Sequence, residues 1–221
     1  MSTATTPVNG STPVAEAAAL SIPRLDRRTI LVPIKGTAPL IVHRFAEKAR
    51  RQMLDKMQGR KAVKEVKDPA AEFEAAKYLL DDGRPGFPSV AFKAAMVSAA
   101  RFFDKSVTMV TLRQTVFLDG LYSTSSRQKL VAIQADDAVM REDVVTVGVA
   151  GHDLRYRPEY ANWRAVLPIH YVASSLNRES VLALVDAAGT GVGVGEWRPE
   201  KNGDFGTFEV DSERNIEEVS L

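Results

Sequence analysis

The stretch that most constrains this chain is Gly189 to Val210, GTGVGVGEWRPEKNGDFGTFEV, which packs six glycines, a Trp-Arg pair and a closing strand into one segment. Without a Cβ, Gly189, Gly191, Gly193 and Gly195 can take positive φ and let a phosphate or another backbone come within contact distance. Upstream, Asn177 is placed as an N-cap, with Leu176 and Val181 as a hydrophobic staple. Val181, Leu182, Leu184, Val185 and Ala188 then mark one helical face, and Gly189 stands where a C-cap glycine belongs. Gly203 and Gly206 introduce Phe205, Thr207, Phe208 and Val210, a strand-like run. The segment is therefore either a binding loop between a helix and a strand or turn chemistry around a packed Trp197. It matches neither the P-loop pattern nor the dinucleotide fingerprint.

At 221 residues the chain suits one sizeable core, and a net charge of +1 means that attraction to a polyanion must come from local patches. It has no cysteine and only His43, His152 and His170, scattered, which excludes disulfides and thiol catalysis and disfavours a zinc site. No metal or other cofactor is expected. No apolar run approaches the roughly 20 residues that span a bilayer, and a secretory leader pattern is missing, so a cytoplasmic protein is expected.

Residues 1–24 are rich in Ser, Thr, Pro and Ala, nearly uncharged, and read as a flexible arm that a neighbouring subunit would order. Thr29 to Lys35 reads as the first strand, extended through a bulge or turn near Pro39. Between Arg44 and Lys67 there are nine Lys or Arg against three Asp or Glu, a balance of +6. Phe45, Ala49, Met53 and Met57 recur every four residues there, which predicts a basic amphipathic helix with Lys48, Arg50, Arg51 and Lys56 off the apolar stripe. Such a face is either simply solvated or a phosphate-tracking arm. Ser89 is placed as the cap of a helix carrying Phe92, Ala95, Met96, Ala99 and Phe103, with Lys93 and Arg101 on a separate stripe. Thr108 to Leu118 has the β-branched content of a strand, and 119–160 reads as an insertion with two short strands, Leu130 to Gln134 and Asp143 to Val149. Asn162 to Val172 alternates as a strand in which Pro168 demands an edge or a bulge. Residues 212–221 read as an acidic, frayed tail, leaving 25–211 as a single domain.

Stripped of insertions at about 44–87 and 119–160, after strand 1 and between strands 2 and 3, the order is β-α-β-β-α-β. This predicts an α+β, ferredoxin-like (RRM-like) core whose open sheet face could meet a single strand.

On two motifs the chain resembles the CRISPR-associated RAMP superfamily, effector-complex backbone subunits in particular. Phe87 to Arg101, FPSVAFKAAMVSAAR, resembles the segment that opens that superfamily's first helix, with Ala94 where the motif has glycine. Gly191 to Val210 resembles its C-terminal glycine-rich loop, the GFG-like turn being Gly203, Asp204, Phe205 and Gly206. The second insertion also sits where those subunits carry a thumb hairpin. The chain looks, too, like small bacteriophage proteins. The resemblance implies single-stranded nucleic-acid binding, to DNA or RNA, with head-to-tail self-association into an oligomer or filament. The expected contacts are Arg44, Lys48, Arg50, Arg51, Lys56, Lys93, Arg101, Trp197, Arg198 and Lys201, around the loop of Gly189, Gly191, Gly193, Gly195, Gly203 and Gly206. Two alternatives stand beside it: a structural or inhibitory protein using the same fold for protein–protein assembly, and a metal-independent endoribonuclease centred on His43. Asp55 is a further acidic counterpart, and neither residue is assigned as catalytic.

Overall fold

The computed structural model describes residues 22–45, 47–60, 66–105, 107–147 and 151–219. The elements are β1 (Arg27–Gly36), β2 (Leu40–Ile41), α1 (Glu47–Met57), α2 (Pro69–Ala75), β3 (Gly86–Pro88), α3 (Ser89–Ala99), α4 (Met109–Thr115), β4 (Val116–Leu118), β5 (Leu121–Ser123), β6 (Gln128–Ala135), β7 (Val139–Val147), β8 (Gly151–Tyr160), β9 (Trp163–Val172), α5 (Arg178–Gly191), β10 (Phe208–Val210) and β11 (Glu217–Val219). All the pairings are antiparallel. The fold is a mixed α and β one with two antiparallel sheets.

The main sheet is built on β1 and β9, whose alternation places Ile30, Val32 and Ile34 opposite Ile169, Leu167 and Ala165, all fully buried. α3 covers this face with Phe92, Ala95, Met96 and Ala99, and α5 with Val181, Leu184, Val185 and Ala188. Tyr78, Phe87, Phe92, Phe208 and Trp163 form a chain of edge-to-face rings, with centroids 5.9–6.0 Å apart. Each such pair adds about 0.5–1.5 kcal/mol beyond area burial.

Two prolines in the central strands are accommodated in the same way. β9 is flanked by β4 at Ile169–Tyr171 and by β6 at Trp163–Ala165. Pro168 lies in the gap between them, its carbonyl accepting from Asp119 N at 3.0 Å. Pro33 of β1 lies in the matching gap between β11, opposite Thr29–Leu31, and β10, opposite Ile34–Gly36, and its carbonyl accepts from Asp211 N at 2.9 Å. In an antiparallel strand a residue's N–H and C=O point to the same side, so each missing N–H faces a break in the ladder. Pro168 thus has a local edge inside a paired strand.

Several local expectations are corrected. Thr108–Leu118 is not one strand: Thr108 Oγ1 accepts from Thr111 N at 3.1 Å, caps α4, and only Val116–Leu118 is extended. A cap combined with burial of Leu112 and Thr115 overrides β-branched propensity. Ser89 does not cap α3; it is the first helical residue and buried, and Pro88 holds the cap position. α5 runs through Gly189 to Gly191, with Val192 as its C-cap, whereas Asn177 caps its start as expected, accepting from Ser180 N at 2.8 Å. The tail is not frayed throughout, because Glu217–Val219 pairs with β1. The second insertion contributes β6 to the main sheet and extends as the β7–β8 hairpin, which β2 joins opposite Tyr160 and Glu159. Most of the N-terminal arm, residues 1–21, lies outside the described residues; 22–26 carry no regular element and are exposed.

Candidate nucleic-acid interface

The glycine-rich segment closes on itself. A Cβ on Gly189 would lie 1.9 Å from the Phe208 carbonyl oxygen, one on Gly206 1.7 Å from that of Val194, and one on Gly203 1.8 Å from that of Trp197. Gly189 therefore serves contact between α5 and β10, not a helix cap. Gly191 faces the Phe102 ring, and Gly193, Gly195 and Gly206 take positive φ. The amides are engaged internally: Gly193 donates to Ala188 O, Val194 to Gly206 O, Glu196 to Ile41 O, Gly203 to Arg198 O, Phe205 to Trp197 O and Gly206 to Pro39 O. A cradle built from those six amides is therefore already occupied by protein carbonyls, and what the loop offers outward is side chains.

Foremost among these is Trp197. It sits at φ 54°, a region disfavoured for a bulky L-residue, and is 40% exposed. The Phe205 N–H holds its carbonyl at 3.0 Å and the Glu196 N–H anchors the preceding residue to β2 at 2.9 Å. The chain thus spends backbone strain to present an indole at the surface.

Beside it two of the sequence-predicted cations, Arg198 and Arg101, converge on Glu200. Arg198 donates through Nη2 and Nε to Glu200 Oε2 at 3.0 and 3.3 Å and through Nη1 to Gly195 O at 3.1 Å. Arg101, after α3, reaches Glu200 Oε1 at 3.6 Å, and Ser98 Oγ donates to the same oxygen at 2.9 Å. Burial would raise the Glu200 pKa, but the bonds from Ser98 and Arg198 and the Arg101 charge hold it below its ordinary value. Lys201 follows, exposed, in the 3-10 turn Pro199–Lys201. Glu200 thus binds two guanidiniums, while Glu196 and Asp204 are the other carboxylates of the same loop and Glu196 is taken up by Arg157.

The base of the β7–β8 hairpin is bolted to the same loop. Arg157, with a side chain only 3% exposed, meets Asp143 Oδ2 at 3.2 Å and Glu196 Oε2 at 3.5 Å. Arg141 bonds Asp143 at 2.8 Å and Glu159 at 3.0 Å and stands 4.8 Å from the centroid of Phe205. These hairpin residues are read only once β7 and β8 pair; in sequence they are merely basic segments.

The other predicted residues are spread out. Arg44 donates to Ser125 O at 2.6 Å and lines a cleft of about 510 Å³ with His43, Gln52, Lys67 and Arg155, opposed by Asp68, Glu72 and Asp153. Burial, then the Arg157 and Arg155 charges, push the His43 pKa below its ordinary value of 6.5 against the pull of Glu196. Arg50, Arg51 and Lys56 are exposed on α1, where Asp55 pairs with Arg60 at 3.5 Å; Lys48 also falls on α1. Lys93 is apart from the corner, donating to Arg113 O at 3.0 Å and standing 4.2 Å from the centroid of Phe117, and burial lowers its pKa. The open face of the main sheet carries the pairs Lys35–Glu209 at 3.2 Å and Arg164–Asp211 at 3.6 Å, and β1 and β9 present Leu31, Pro33, Val166, Pro168 and His170 there, with the exposed Phe117 of β4 opposite His170.

Among the described residues no helix is long and apolar enough to cross a membrane. No protein-family model matches the chain, and no curated protein matches it. Among solved structures it is similar to Cmr6 from Pyrococcus furiosus, at 12% identity and a TM-score of 0.42, over 85% of this chain and 100% of that one. It is also similar to a chain of the type III-B Cmr-beta complex bound to cognate target RNA, at 12% identity and a TM-score of 0.38, over 87% of this chain and 61% of that one. Likenesses of this size do not assign the chain to a family.

Proposed function

We propose that this protein binds single-stranded nucleic acid, RNA or DNA, without cleaving it, and that copies associate head to tail along the strand. The observation that carries the reading is the corner at which an exposed Trp197 at positive φ stands beside Arg101, Arg198 and Lys201. An aromatic face stacks a base of any identity, and neighbouring cations meet phosphates, the combination that sequence-tolerant single-strand binding requires. The strand order β10-β1-β9-β4, with α3 between β1 and β4 and α5 between β9 and β10, supports a ferredoxin-like core of the RAMP type. The bound strand leaves the corner toward the hairpin base and Arg44, so that α1 with Lys48, Arg50, Arg51 and Lys56 forms an outer basic arm, while Lys93 makes a lesser contact.

The test is equilibrium binding of labelled single strands to Trp197→Ala and to Arg101→Ala with Lys201→Ala. Losing one stacked base costs about 1–3 kcal/mol, roughly 5- to 150-fold in affinity. The ligand should be recovered intact from every complex. Wild-type affinity in both variants would refute the corner as the site.

A further inference from the structure

Most polar groups of the cleft that α2 and β8 line are already committed. Lys67 pairs with Asp153 and donates to Leu154 O, Arg44 donates to Ser125 O at 2.6 Å, and Arg155 has Asp153 at 4.0 Å. Asp68 caps α2 by accepting from Ala71 N at 3.1 Å, and the Tyr156 hydroxyl bonds Glu142. His43 and Glu72 are not committed: among the described residues, neither side chain has a hydrogen-bond or ion-pair partner.

A cleft of about 510 Å³ is large enough for a small ligand or for one residue of a larger one. Its cations are tied to carboxylates and carbonyls, so it offers little to a phosphate. What it offers is a carboxylate with free lone pairs, an imidazole that burial and the Arg157 and Arg155 charges keep neutral, and the rings of Phe45 and Tyr156 in its wall. A carboxylate only accepts, whereas a neutral imidazole keeps an N–H to donate. The matching ligand is planar and carries adjacent N–H donors next to an acceptor.

We infer that the cleft receives an unstacked guanine of the bound strand, with N1–H and the 2-amino group donating to Glu72, O6 accepting from His43, and the base plane against Phe45 or Tyr156; this rests on the single-strand binding proposed above. Single strands are read in this way, by the Watson–Crick edges of splayed bases and by stacking on aromatic side chains. On that edge adenine and cytosine carry only an amino group, and uracil and thymine only an imino N–H. Guanine alone sets both against one carboxylate. Arg44 belongs both to this wall and to the path proposed for the strand, so the base turns in from a chain already at the rim.

The test is equilibrium binding of oligouridines and oligothymidines of about 12 nucleotides that carry one central guanine, adenine, cytosine or hypoxanthine, or none, to the wild type and to Glu72→Gln. The wild type should bind the guanine strand at least about 5-fold more tightly than the others, the effect of one good bidentate base contact. Hypoxanthine lacks only the 2-amino group and should lose that advantage without any change to the protein. Glu72→Gln should keep the affinity for the plain strands and bind all of them alike. Equal wild-type affinity for the guanine and hypoxanthine strands, preference for another base, or a guanine preference that survives Glu72→Gln overturns the assignment. Plain strands bound with no base preference refute the cleft site alone, whereas binding to no strand at low salt refutes the reading on which it rests.

Discussion

Gly203 packs against the backbone of Trp197 so closely that a Cβ at 203 would lie 1.8 Å from the Trp197 carbonyl oxygen. That oxygen also accepts from Phe205 N, so the return limb of the loop holds the residue that presents the indole. Gly203→Ala is expected to swing Trp197 out of its left-handed conformation and to weaken single-strand binding at least as much as Trp197→Ala. The check is binding together with acrylamide quenching: Trp163 is buried, so the quenchable emission reports Trp197 and should change in the variant.

Gly189 lies mid-helix for contact with β10, where a Cβ would meet the Phe208 carbonyl at 1.9 Å. The obstacle is backbone, which cannot rotate away. Gly189→Ala should therefore cost about 1–3 kcal/mol despite alanine's higher helix propensity, a fall of about 2–12 °C in Tm for a domain of this size. An unchanged or raised Tm in thermal unfolding would contradict the packing described.

Arg157 is buried between Asp143 and Glu196 and joins the hairpin to the glycine loop. Arg157→Ala should be destabilising by about 3 kcal/mol, the low end for breaking a buried pair, because Arg141 still faces Asp143. Arg157→Met, which keeps the stem volume, should lose less. Hydrogen exchange should show β7 and β8 losing protection before β1 and β9 in both variants.

His43 gives the fold a defined pH response. Its folded pKa is depressed below 6.5, so over the interval beneath that value the unfolded chain binds more protons than the native one. Stability should therefore fall as pH drops through 6.5 and level off below the folded pKa. In His43→Gln this part of the slope should vanish. Tm measured from pH 7.5 to 5 decides it: a wild type and variant with parallel profiles would show that His43 is not the titrating group.

The sequence made legible what depends on local periodicity. Ile30 to Ile34 and Trp163 to Tyr171 alternate because one face of each strand is buried, and Asn177 caps α5 with its own side chain. The loop glycines and the Trp197–Arg198 pair were visible, but not what they touch. Gly189 looks like a helix cap because nothing near it in sequence reveals Phe208 lying across it. Thr108–Leu118 looks like a strand because β-branched propensity is local, while the burial of Leu112 that makes α4 a helix is tertiary. Arg157 and Glu196 are 39 positions apart, and no spacing rule joins them before β8 pairs with β2. Arg101, Arg198 and Lys201 were visible as cations, and the Glu200 that gathers the two arginines appears only in three dimensions.

The central claim is tested most directly by fluorescence anisotropy of labelled single-stranded RNA and DNA between about 50 and 200 mM salt, for the wild type and Lys201→Ala. Binding should be tight at low salt and fall steeply with salt, and the slope of log K against log salt should be smaller by about one for Lys201→Ala. Binding to neither strand at the lowest salt, or a slope unaltered by the substitution, would contradict the account.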